Sequence, residues 1–383
     1  MKKKFLFLIE ADLTSGASRC GLELINELKR DSNFTPVVVT QHKSDFNKAC
    51  EKLDVENYYL HYARICSLGM GIFGHIIAYI MRPILNFIAL QRLKKKIDLN
   101  TISFVHSNGS SIDFGAYLQK KFKLPHLWHV RDFFLFEGKW PPLVKDFPKY
   151  LERHSSKVIT VSNALRNYLI IQGCNSSKIE TVYDGIKSVS CLEHKTNSPH
   201  EKDILKVVCV GQICEAKGQK TLIEAISLLP NELRKHFKFD FYGDFIDSEE
   251  ISISKIVNTN KLSDIVEFKG YSKNILYELG KYDIGIQPSH SEGFSRVTAE
   301  YMFAGLCVVA ADEGAIPELI QDNESGLLYE DYNAQQLAQK ITYCYENPEQ
   351  VYKLGQHAKN RAENLYTLKT NLKKILDLYN NLN

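Results

Sequence analysis

The stretch QPSHSEGFSRVTAEYMFAGLCVVAADEGAIPELI, residues 287–320, decides the fold. It predicts the end of an apolar strand, a polar loop with Gly293, a helix starting near Arg296, a second apolar strand and a loop that opens another helix. Glu292 lies in the first loop, and Glu300 would lie about one turn inside the helix. Glycine lets a backbone approach a ligand closely, and amides at a helix N-terminus favour an anionic phosphate. One loop can therefore offer carboxylates to hydroxyl groups and amides to phosphate.

This stretch resembles the retaining nucleotide-sugar glycosyltransferases of the GT-B fold, glycosyltransferase family 4 (group 1). Their signature is a Glu, seven residues and a second Glu, with Gly-Phe after the first, and here it reads from Glu292-Gly293-Phe294 to Glu300. Ala304-Gly305, Ala310 and Pro317-Glu318 extend the similarity. The resemblance implies an α/β fold of two Rossmann-like doubly wound domains facing each other across a cleft, with a C-terminal helix that crosses back onto the first domain.

The composition fits a two-domain enzyme of the cytoplasm. The chain has 383 residues, 44% of them hydrophobic, which is enough for two cores. A net charge of +3 gives no reason to expect a nucleic-acid partner. Lys2–Lys4 run directly into FLFLIE, which is too short for a signal peptide and predicts a first strand. Nine cysteines without a CxxC pair are typical of reduced residues in a cytosol.

Strand–loop–helix units start afresh after a polar segment, which predicts the domain boundaries. Residues 187–202 have no periodicity and are interpreted as the interdomain linker. We expect an acceptor-side Rossmann-like domain at 1–190, a nucleotide-sugar-binding domain at 203–362, and a returning amphipathic helix within 363–383.

The second informative motif is GQICEAKGQKTLIEA, residues 211–225. Lys217-Gly218 match the Lys-Gly of the family, and a lysine at the end of a strand beside a helix N-terminus can neutralise a diphosphate. The alternative to a diphosphate-binding role is a lysine that is simply solvated at the surface. The family commonly has an Arg where this chain has Gln212, which can donate a hydrogen bond but carries no charge, so the role of that Arg is not transferred with it.

Further donor-binding candidates follow from the resemblance. Gly16, in the loop after the first strand, would turn its backbone toward a donor phosphate or would merely turn the chain. Tyr271 follows a predicted strand and would stack on the nucleotide base or fill the surface. Gly293, Phe294 and Ser295 complete the donor loop.

The N-terminal half has its own candidate site in LPHLWHVRDFF, residues 124–134. Ligands of open α/β sheets bind at the carboxyl ends of strands, and His129, Arg131 and Asp132 lie there. The family often has such an element near the donor sugar and the acceptor, which implies that His129 positions substrate. The alternative is a histidine paired with a carbonyl or with Asp132. The aromatic, Pro-containing segment 134–144 is interpreted as an acceptor loop.

Residues 65–97 leave three interpretations open. Ile65–Met81 carry no formal charge, Gly residues and Pro83 interrupt the run, and basic residues end it. Ile77, Ile80, Ile84 and Phe87 share one helical stripe. The first interpretation is one or two helices packed on the N-terminal domain. The second is a monotopic patch on the anionic inner face of the cell membrane. A spanning helix, which needs about 20 apolar residues, is the least favoured.

The sequence thus predicts a retaining hexosyl- or N-acetylhexosaminyl-transferase of bacterial surface polysaccharide or glycolipid synthesis. We expect a nucleotide diphosphate sugar donor, UDP favoured over GDP, and a glycan or lipid-linked acceptor. Glu292, Lys217 and His129 are the catalytic candidates, and Glu300 would bind ribose hydroxyls. No Asp-x-Asp pattern occurs, so we expect no metal and no other cofactor. The alternatives are another GT-B activity, a sugar-nucleotide epimerase or phosphorylase, and a non-catalytic GT-B scaffold.

Overall fold

The structure is a computed structural model. It describes residues 3–10, 12–13, 15–30, 33–67, 71–133, 141–187, 204–246 and 249–382. The chain divides into two compact units, Met1–Gly185 with Leu368–Asn383, and Ile186–Thr367. The division falls slightly before the predicted boundary at 190. The predicted linker lies, apart from Lys187, outside the described residues.

Unit 1 is a parallel seven-stranded sheet with helices around it. The strand order is β3-β2-β1-β4-β5-β6-β7, so the order reverses between β1 and β4. The strands are β1 Lys3–Ile9, β2 Phe34–Thr40, β3 Asn57–Tyr59, β4 Ile102–Asn108, β5 His126–Val130, β6 Lys157–Thr160 and β7 Ile179–Thr181. The helices are α1 Gly16–Arg30, α2 Asp45–Lys52, α3 Gly71–Lys94, α4 Phe114–Phe122, α5 Phe147–Arg153 and α6 Asn163–Ile171.

Unit 2 repeats this plan with six parallel strands in the order β10-β9-β8-β11-β12-β13. The strands are β8 Leu205–Val210, β9 Phe237–Tyr242, β10 Val266–Gly270, β11 Ile284–Gln287, β12 Cys307–Ala311 and β13 Leu327–Tyr329. The helices are α7 Gln219–Leu228, α8 Asn231–Arg234, α9 Glu249–Thr259, α10 Ile275–Glu278, α11 Arg296–Phe303, α12 Ile316–Leu319, α13 Ala334–Glu346 and α14 Pro348–Leu365. Helix α11 begins at Arg296, as the sequence predicted. The order reverses between β8 and β11, which marks the switch point where doubly wound sheets bind ligands.

The strands are buried because their residues are apolar on both faces. In β1 all five residues from Phe5 to Ile9 are buried, as expected for a parallel strand covered by helices on both sides. In unit 2, β12 is buried along its whole length. The two predicted Rossmann-like parallel-sheet domains are confirmed.

The last helix, α15 at Leu368–Asn380, belongs to unit 1. Its Ile375 and Tyr379 are fully buried in the core that contains Phe5 and Phe104. The Tyr379 ring centroid lies 4.7 Å from that of Phe104 and 5.1 Å from that of Phe5. The side chain of Asn371 donates a hydrogen bond to the carbonyl of Tyr183 at 2.7 Å. The C-terminal residues are therefore a structural part of the first unit.

Helix α3 accounts for most of residues 65–97, for which the favoured interpretation was one or two helices packed on the N-terminal domain. It is one continuous helix that runs through Gly74 and Pro83. It packs on unit 1 through Asn86, Ala89, Leu90 and Leu93, and the stripe that contains Ile77, Ile80, Ile84 and Phe87 is exposed. The helix is apolar on both faces, so periodicity alone could not tell which face is buried. By length and composition alone α3 could cross a membrane, although little of it is buried.

Candidate active site

The site of unit 2 lies at the switch point of its sheet, where two loops are packed tightly together. Lys217 ends a short 3-10 turn between β8 and α7, and Glu292 lies in the loop after β11. The Nζ atom of Lys217 lies 2.7 Å from Oε1 of Glu292. Burial opposes the charge on Lys217, but the carboxylate of Glu292 outweighs it and raises the pKa of the lysine. The two residues predicted from separate motifs therefore form one ion pair.

Gly218 makes this close approach possible. Its φ is +65°, and a Cβ atom there would lie only 1.9 Å from the carbonyl oxygen of Pro288. The neighbouring His290 amide donates to the Ala216 carbonyl at 3.1 Å, which ties the two loops together. Only glycine fits this position without moving one loop, because any side chain would meet backbone.

A glycine substitution pair tests this geometry. We expect Gly218→Ala to lower activity about 100-fold, because displacing the 288–292 loop by about 1 Å would separate Glu292 from Lys217. Gly305→Ala is the matched control: its φ is +70°, but the nearest atoms to the new Cβ are side-chain atoms of Gln356 and Lys359, 3.8 and 3.9 Å away. In thermal unfolding, the control should lose about 1–2 kcal/mol of stability because of its left-handed backbone strain, and its activity should be unchanged. Equal losses of activity in both variants would contradict the assignment.

Gln287, the last residue of β11, orients Glu292 and was not predicted. Its Nε2 donates to Oε1 of Glu292 at 3.1 Å and to Oγ of Ser289 at 2.6 Å. Its Oε1 is buried and has no hydrogen-bond partner within the described part of the chain. A polar residue at the end of an apolar strand was the available sequence signal.

Glu300 is paired inside its own helix. It is 2% exposed, and Oε1 accepts a hydrogen bond from Nε of Arg296 at 2.8 Å. The pair is spaced i, i+4, so the sequence contained this signal as well. Arg296 compensates the charge of the buried carboxylate and fixes its orientation on α11.

The remaining candidates of the donor loop differ in their surroundings: Ser295 lies at the start of α11, and the Phe294 side chain is buried in the core. Ser295 has a φ of +66° and caps α11, and its Oγ lies 2.8 Å from Oγ1 of Thr298. The ring of Phe294 is buried and lies edge-on to Tyr366, with centroids 5.6 Å apart. Because that ring is part of the core, only the Phe294 backbone remains available for a ligand. The carbonyl of Glu292 accepts from the Ala315 amide at 3.0 Å, which fixes the loop around Gly293.

The remaining donor candidates lie near the ends of strands. Gln212 follows β8 and is exposed, and its carbonyl accepts from Nε2 of Gln219 at 3.0 Å. Tyr271 directly follows β10, is 57% exposed, and its amide donates to Asp244 at 3.2 Å. Gly16 is the first residue of α1 in unit 1. Among the described residues of unit 2, these hydrogen bonds of Gln212 and Tyr271 run to Gln219 and Asp244 and not to the Lys217–Glu292 pair.

His129 in unit 1 is buried at the end of β5. Its Nδ1 lies 3.4 Å from Nε2 of His106, and Nδ1 of His106 lies 2.6 Å from the Tyr379 hydroxyl. Nε2 of His129 is buried and has no hydrogen-bond partner among the described residues. Burial, with the charge of Arg131 adding to it, lowers the pKa of His129 well below its ordinary value. The imidazole is therefore neutral at physiological pH.

Arg131 and Asp132 have partners inside unit 1. The guanidinium of Arg131 donates to both carboxylate oxygens of Asp184, at 2.7 and 2.5 Å, and to Oδ1 of Asn108 at 3.0 Å. Burial opposes the charge on Arg131, but Asp184 outweighs it and the pKa of the guanidinium is raised. Arg131 therefore joins strand ends through Asn108 and Asp184, and its acceptor-side role stays a prediction. Asp132 accepts from Oγ of Ser110 at 3.3 Å.

No group of three or more His, Cys, Asp or Glu side chains among the described residues is placed to hold a metal ion. The predicted acceptor loop at 134–144 lies mostly outside those residues, since positions 134–140 are not described.

Two Rossmann-like parallel-sheet domains in one chain are the architecture of the GT-B fold, which solved structures of glycosyltransferases share. Comparison with known proteins agrees. The family model "Glycosyl transferases group 1" matches residues 192–361, and "Glycosyltransferase Family 4" matches residues 14–188. The chain belongs to the family 4 (group 1) glycosyltransferases.

Individual relatives are also glycosyltransferases. An uncharacterized glycosyltransferase of Methanocaldococcus jannaschii is 24% identical over 308 residues, 77% of this chain and 78% of that protein. A poly(glycerol-phosphate) alpha-glucosyltransferase of Bacillus subtilis is 30% identical over 168 residues, 44% of this chain and 24% of that protein. The crystal structure of Anabaena HepE in complex with UDP and glucose superposes with a TM-score of 0.79 at 20% identity, covering 100% of both chains. The family relatives include enzymes of bacterial polysaccharide biosynthesis.

Proposed function

We propose that this protein is a retaining glycosyltransferase that moves a hexosyl or N-acetylhexosaminyl group from a nucleotide diphosphate sugar to a hydroxyl acceptor. The observation that carries the proposal is the Lys217–Glu292 pair, 2.7 Å long, at the switch point of unit 2. A cation fixed there by a carboxylate suits a diphosphate, since sheets of this kind bind ligands at the strand ends beside helix N-termini.

The chemistry requires stabilisation of the leaving group. When the bond between the sugar anomeric carbon and the diphosphate oxygen breaks, negative charge develops on the diphosphate. Lys217 and the amides at the start of α11 would stabilise this charge, and such stabilisation is usually a large part of catalysis. Oε2 of Glu292, which has no partner within the described residues, would accept a hydrogen bond from the donor sugar. Gln287 would keep the carboxylate oriented.

The nucleoside would be held by the remaining groups of unit 2. The family assigns ribose hydroxyls to the residue that stands here as Glu300, and the hydrogen bond from Arg296 would hold its carboxylate in one orientation for this task. Tyr271 would stack on the base. Gln212 would donate a neutral hydrogen bond to the donor, and the Gly16 amide at the start of α1 would contact a phosphate.

Retention of the anomeric configuration is the stereochemistry we propose. The acceptor hydroxyl would attack on the face that the leaving group vacates and give its proton to a departing phosphate oxygen. The Bacillus subtilis relative is an alpha-glucosyltransferase by name, and transfer of an α-linked glucose from an α-linked donor supports this mode. His129, neutral and with an unpartnered buried Nε2, would position substrate and would not act as the base.

The donor we propose is a UDP-sugar, used without a metal ion. UDP in the Anabaena structure supports this choice over GDP. The acceptor would be a glycan or lipid-linked saccharide of a bacterial surface polymer, as the polysaccharide-synthesis relatives suggest, and the reaction would take place in the cytoplasm.

Two measurements test the proposal. In a thermal-shift assay with UDP, GDP, ADP and CDP, only UDP should raise the melting temperature strongly, because a ligand stabilises the state it binds. The shift should survive a chelator and shrink in Glu300→Gln, which keeps the size of the buried side chain. With UDP-glucose and water as the acceptor, early NMR spectra should show α-glucose together with UDP. β-Glucose as the first product would exclude retention.

The alternatives have distinct outcomes. A UDP-sugar isomerised at one carbon, without net release of UDP, would indicate an epimerase. Inorganic phosphate released from a sugar 1-phosphate donor would indicate a phosphorylase. If none of the four nucleotides changed the melting temperature, the result would indicate a non-catalytic scaffold.

A further inference from the structure

Helix α3 exposes a large apolar surface that unit 1 does not cover. Ten large hydrophobic side chains are exposed along it: Ile72, Phe73, Ile76, Ile77, Tyr79, Ile80, Met81, Ile84, Phe87 and Ile88. Phe73 is 81% exposed and Ile77 is 62% exposed. Exposed apolar patches of this extent mark interaction sites in soluble domains. We call this set of ten residues the α3 face.

The opposite side of α3 fastens the helix to unit 1 mainly in its second half, while in the first half Nδ1 of His75 lies 2.9 Å from Oγ of Ser67. Asn86, Leu90 and Leu93 are buried. Arg82 donates to Asp113 at 2.8 Å, and Asn86 donates to the same carboxylate oxygen at 2.8 Å. From Gly71 to Met81 no residue of α3 is buried. The first turns therefore project from the unit along an apolar surface.

These attachments exclude a spanning helix. The residues before Arg82 extend about 16 Å at 1.5 Å per residue, whereas the hydrocarbon core is about 30 Å thick. To cross a bilayer, α3 would have to withdraw Leu90 and Leu93 from the core and break the contacts with Asp113. The helix can instead lie in the plane of an interface with its exposed side in the acyl region.

The charges beside the α3 face identify its partner. Residues 71–96 contain no Asp or Glu. Lys94, Lys95 and Lys96 are exposed at the C-terminal end of α3 and line a shallow cavity of about 860 Å³ together with Asp98 and Phe122.

The end of α4 adds to this cationic cluster. Lys94 lies 5.3 Å from the ring centroid of Phe122, the last residue of α4, which places that helix end beside the cluster. Lys120, Lys121 and Lys123 around it are exposed. An apolar face that ends in a cluster of lysines complements an anionic lipid surface. A second copy of this chain would bring no acid from this helix to meet those lysines.

We propose that the α3 face docks this protein on the surface of an anionic bilayer, with the side chains of the face in the outer acyl region and the lysine cluster on lipid phosphates. This goes beyond the proposed function, because docking depends on α3 and on no residue of the donor site. Access to a lipid-linked acceptor at that surface would follow from it, and that part alone rests on the proposed function.

Vesicle flotation of the full chain tests docking directly. The protein should float with vesicles of phosphatidylglycerol and phosphatidylcholine and much less with phosphatidylcholine alone. Phe73→Gln/Ile77→Gln/Ile80→Gln should reduce the bound fraction at least tenfold. Ile171→Gln/Ile251→Gln is the matched control, because these residues are 80% and 77% exposed and lie outside α3. This control should float like the unaltered protein.

A second variant and a solution measurement make the outcomes decisive. We expect weaker binding to phosphatidylglycerol vesicles from the variant Lys94→Gln/Lys95→Gln/Lys96→Gln. Its residual binding should not change with the salt concentration. Unaltered protein that stays at the bottom of the gradient would overturn the proposal, as would a triple α3 variant that floats normally. A dimer that the triple α3 variant converts to a monomer, without vesicle binding, would assign the face to a second copy. The UDP thermal shift of the triple variant should be unchanged, so a failure of docking is distinguishable from a failure of the donor site.

Discussion

Lys217→Ala is expected to lower the turnover of UDP-glucose about 10²–10³-fold, because removal of one donor from a charge-stabilising site typically has that effect. The variant should bind UDP more weakly and bind uridine unchanged, since only UDP brings a diphosphate to the lysine. Steady-state kinetics, together with calorimetric titration of both ligands, checks the result.

Matched variants separate charge from folding in this experiment. Lys220→Ala removes a nearby lysine of α7 and should leave turnover within about twofold, as a surface charge does. Lys217→Arg should restore part of the UDP affinity, because it keeps the charge. If Lys217→Ala weakened uridine and UDP equally, the lysine would act on the loop and not on the diphosphate.

Unit 1 is expected to lose stability between pH 6.5 and pH 5, because three of its histidines are buried in the neutral form. Burial lowers the pKa of His106 to about 3 and that of His126 to about 4, and the pKa of His129 is lowered as well. In the unfolded chain these groups titrate near 6.5. Below that pH the unfolded state takes up protons that the folded state does not, so acid favours unfolding.

The expected loss is large. At pH 5 His106 and His126 would each contribute about 2 kcal/mol, so the two together would lower the free energy of unfolding by about 4 kcal/mol relative to neutral pH, and the lowered pKa of His129 acts in the same direction. Both tryptophans, Trp128 and Trp140, lie within residues 1–185, so tryptophan fluorescence in urea titrations reports on this unit.

A variant of one histidine isolates the effect. His126 lies 2.7 Å from the His154 carbonyl through Nδ1 and 2.9 Å from Ser107 Oγ through Nε2. His126→Gln changes the stability at every pH but should reduce the pH slope by the contribution of one histidine. An unfolding free energy that stays constant from pH 7.5 to 5 would contradict neutral burial of these rings.

The positions of Lys217 and Glu292 at strand ends were predictable because each residue lies at a fixed offset in a local motif. Lys217 and Glu292 were both expected at the carboxyl ends of strands, and parallel topology places such ends along one edge of a sheet. The sequence could not show that the two side chains touch, because that depends on the fit of Gly218 against the Pro288 carbonyl. Such a contact between distant residues carries no periodic signal.

The first unit was harder to predict for two physical reasons. Arg131 was predicted as a site residue from its position after a strand, whereas its ion pair with Asp184, 53 positions away along the chain, has no local signal. The exposed and buried sides of α3 are both apolar, so the hydrophobic pattern predicted a helix without fixing its orientation. The polar residue Asn86 lies on the buried side, where it donates a hydrogen bond to Asp113. A polar residue in a helix is usually taken to mark the exposed side, so this one would mislead.

The position of Tyr379 has a consequence for synthesis on the ribosome. Unit 1 comprises the first 185 residues, yet its core is completed by Ile375 and Tyr379. These side chains are made after the whole of unit 2, so unit 2 can finish folding before the unit that precedes it. N-terminal domains generally fold first during translation. In this chain the core of unit 1 can be completed only after unit 2 has been synthesised. Until then Tyr379 does not cover the rings of Phe5 and Phe104.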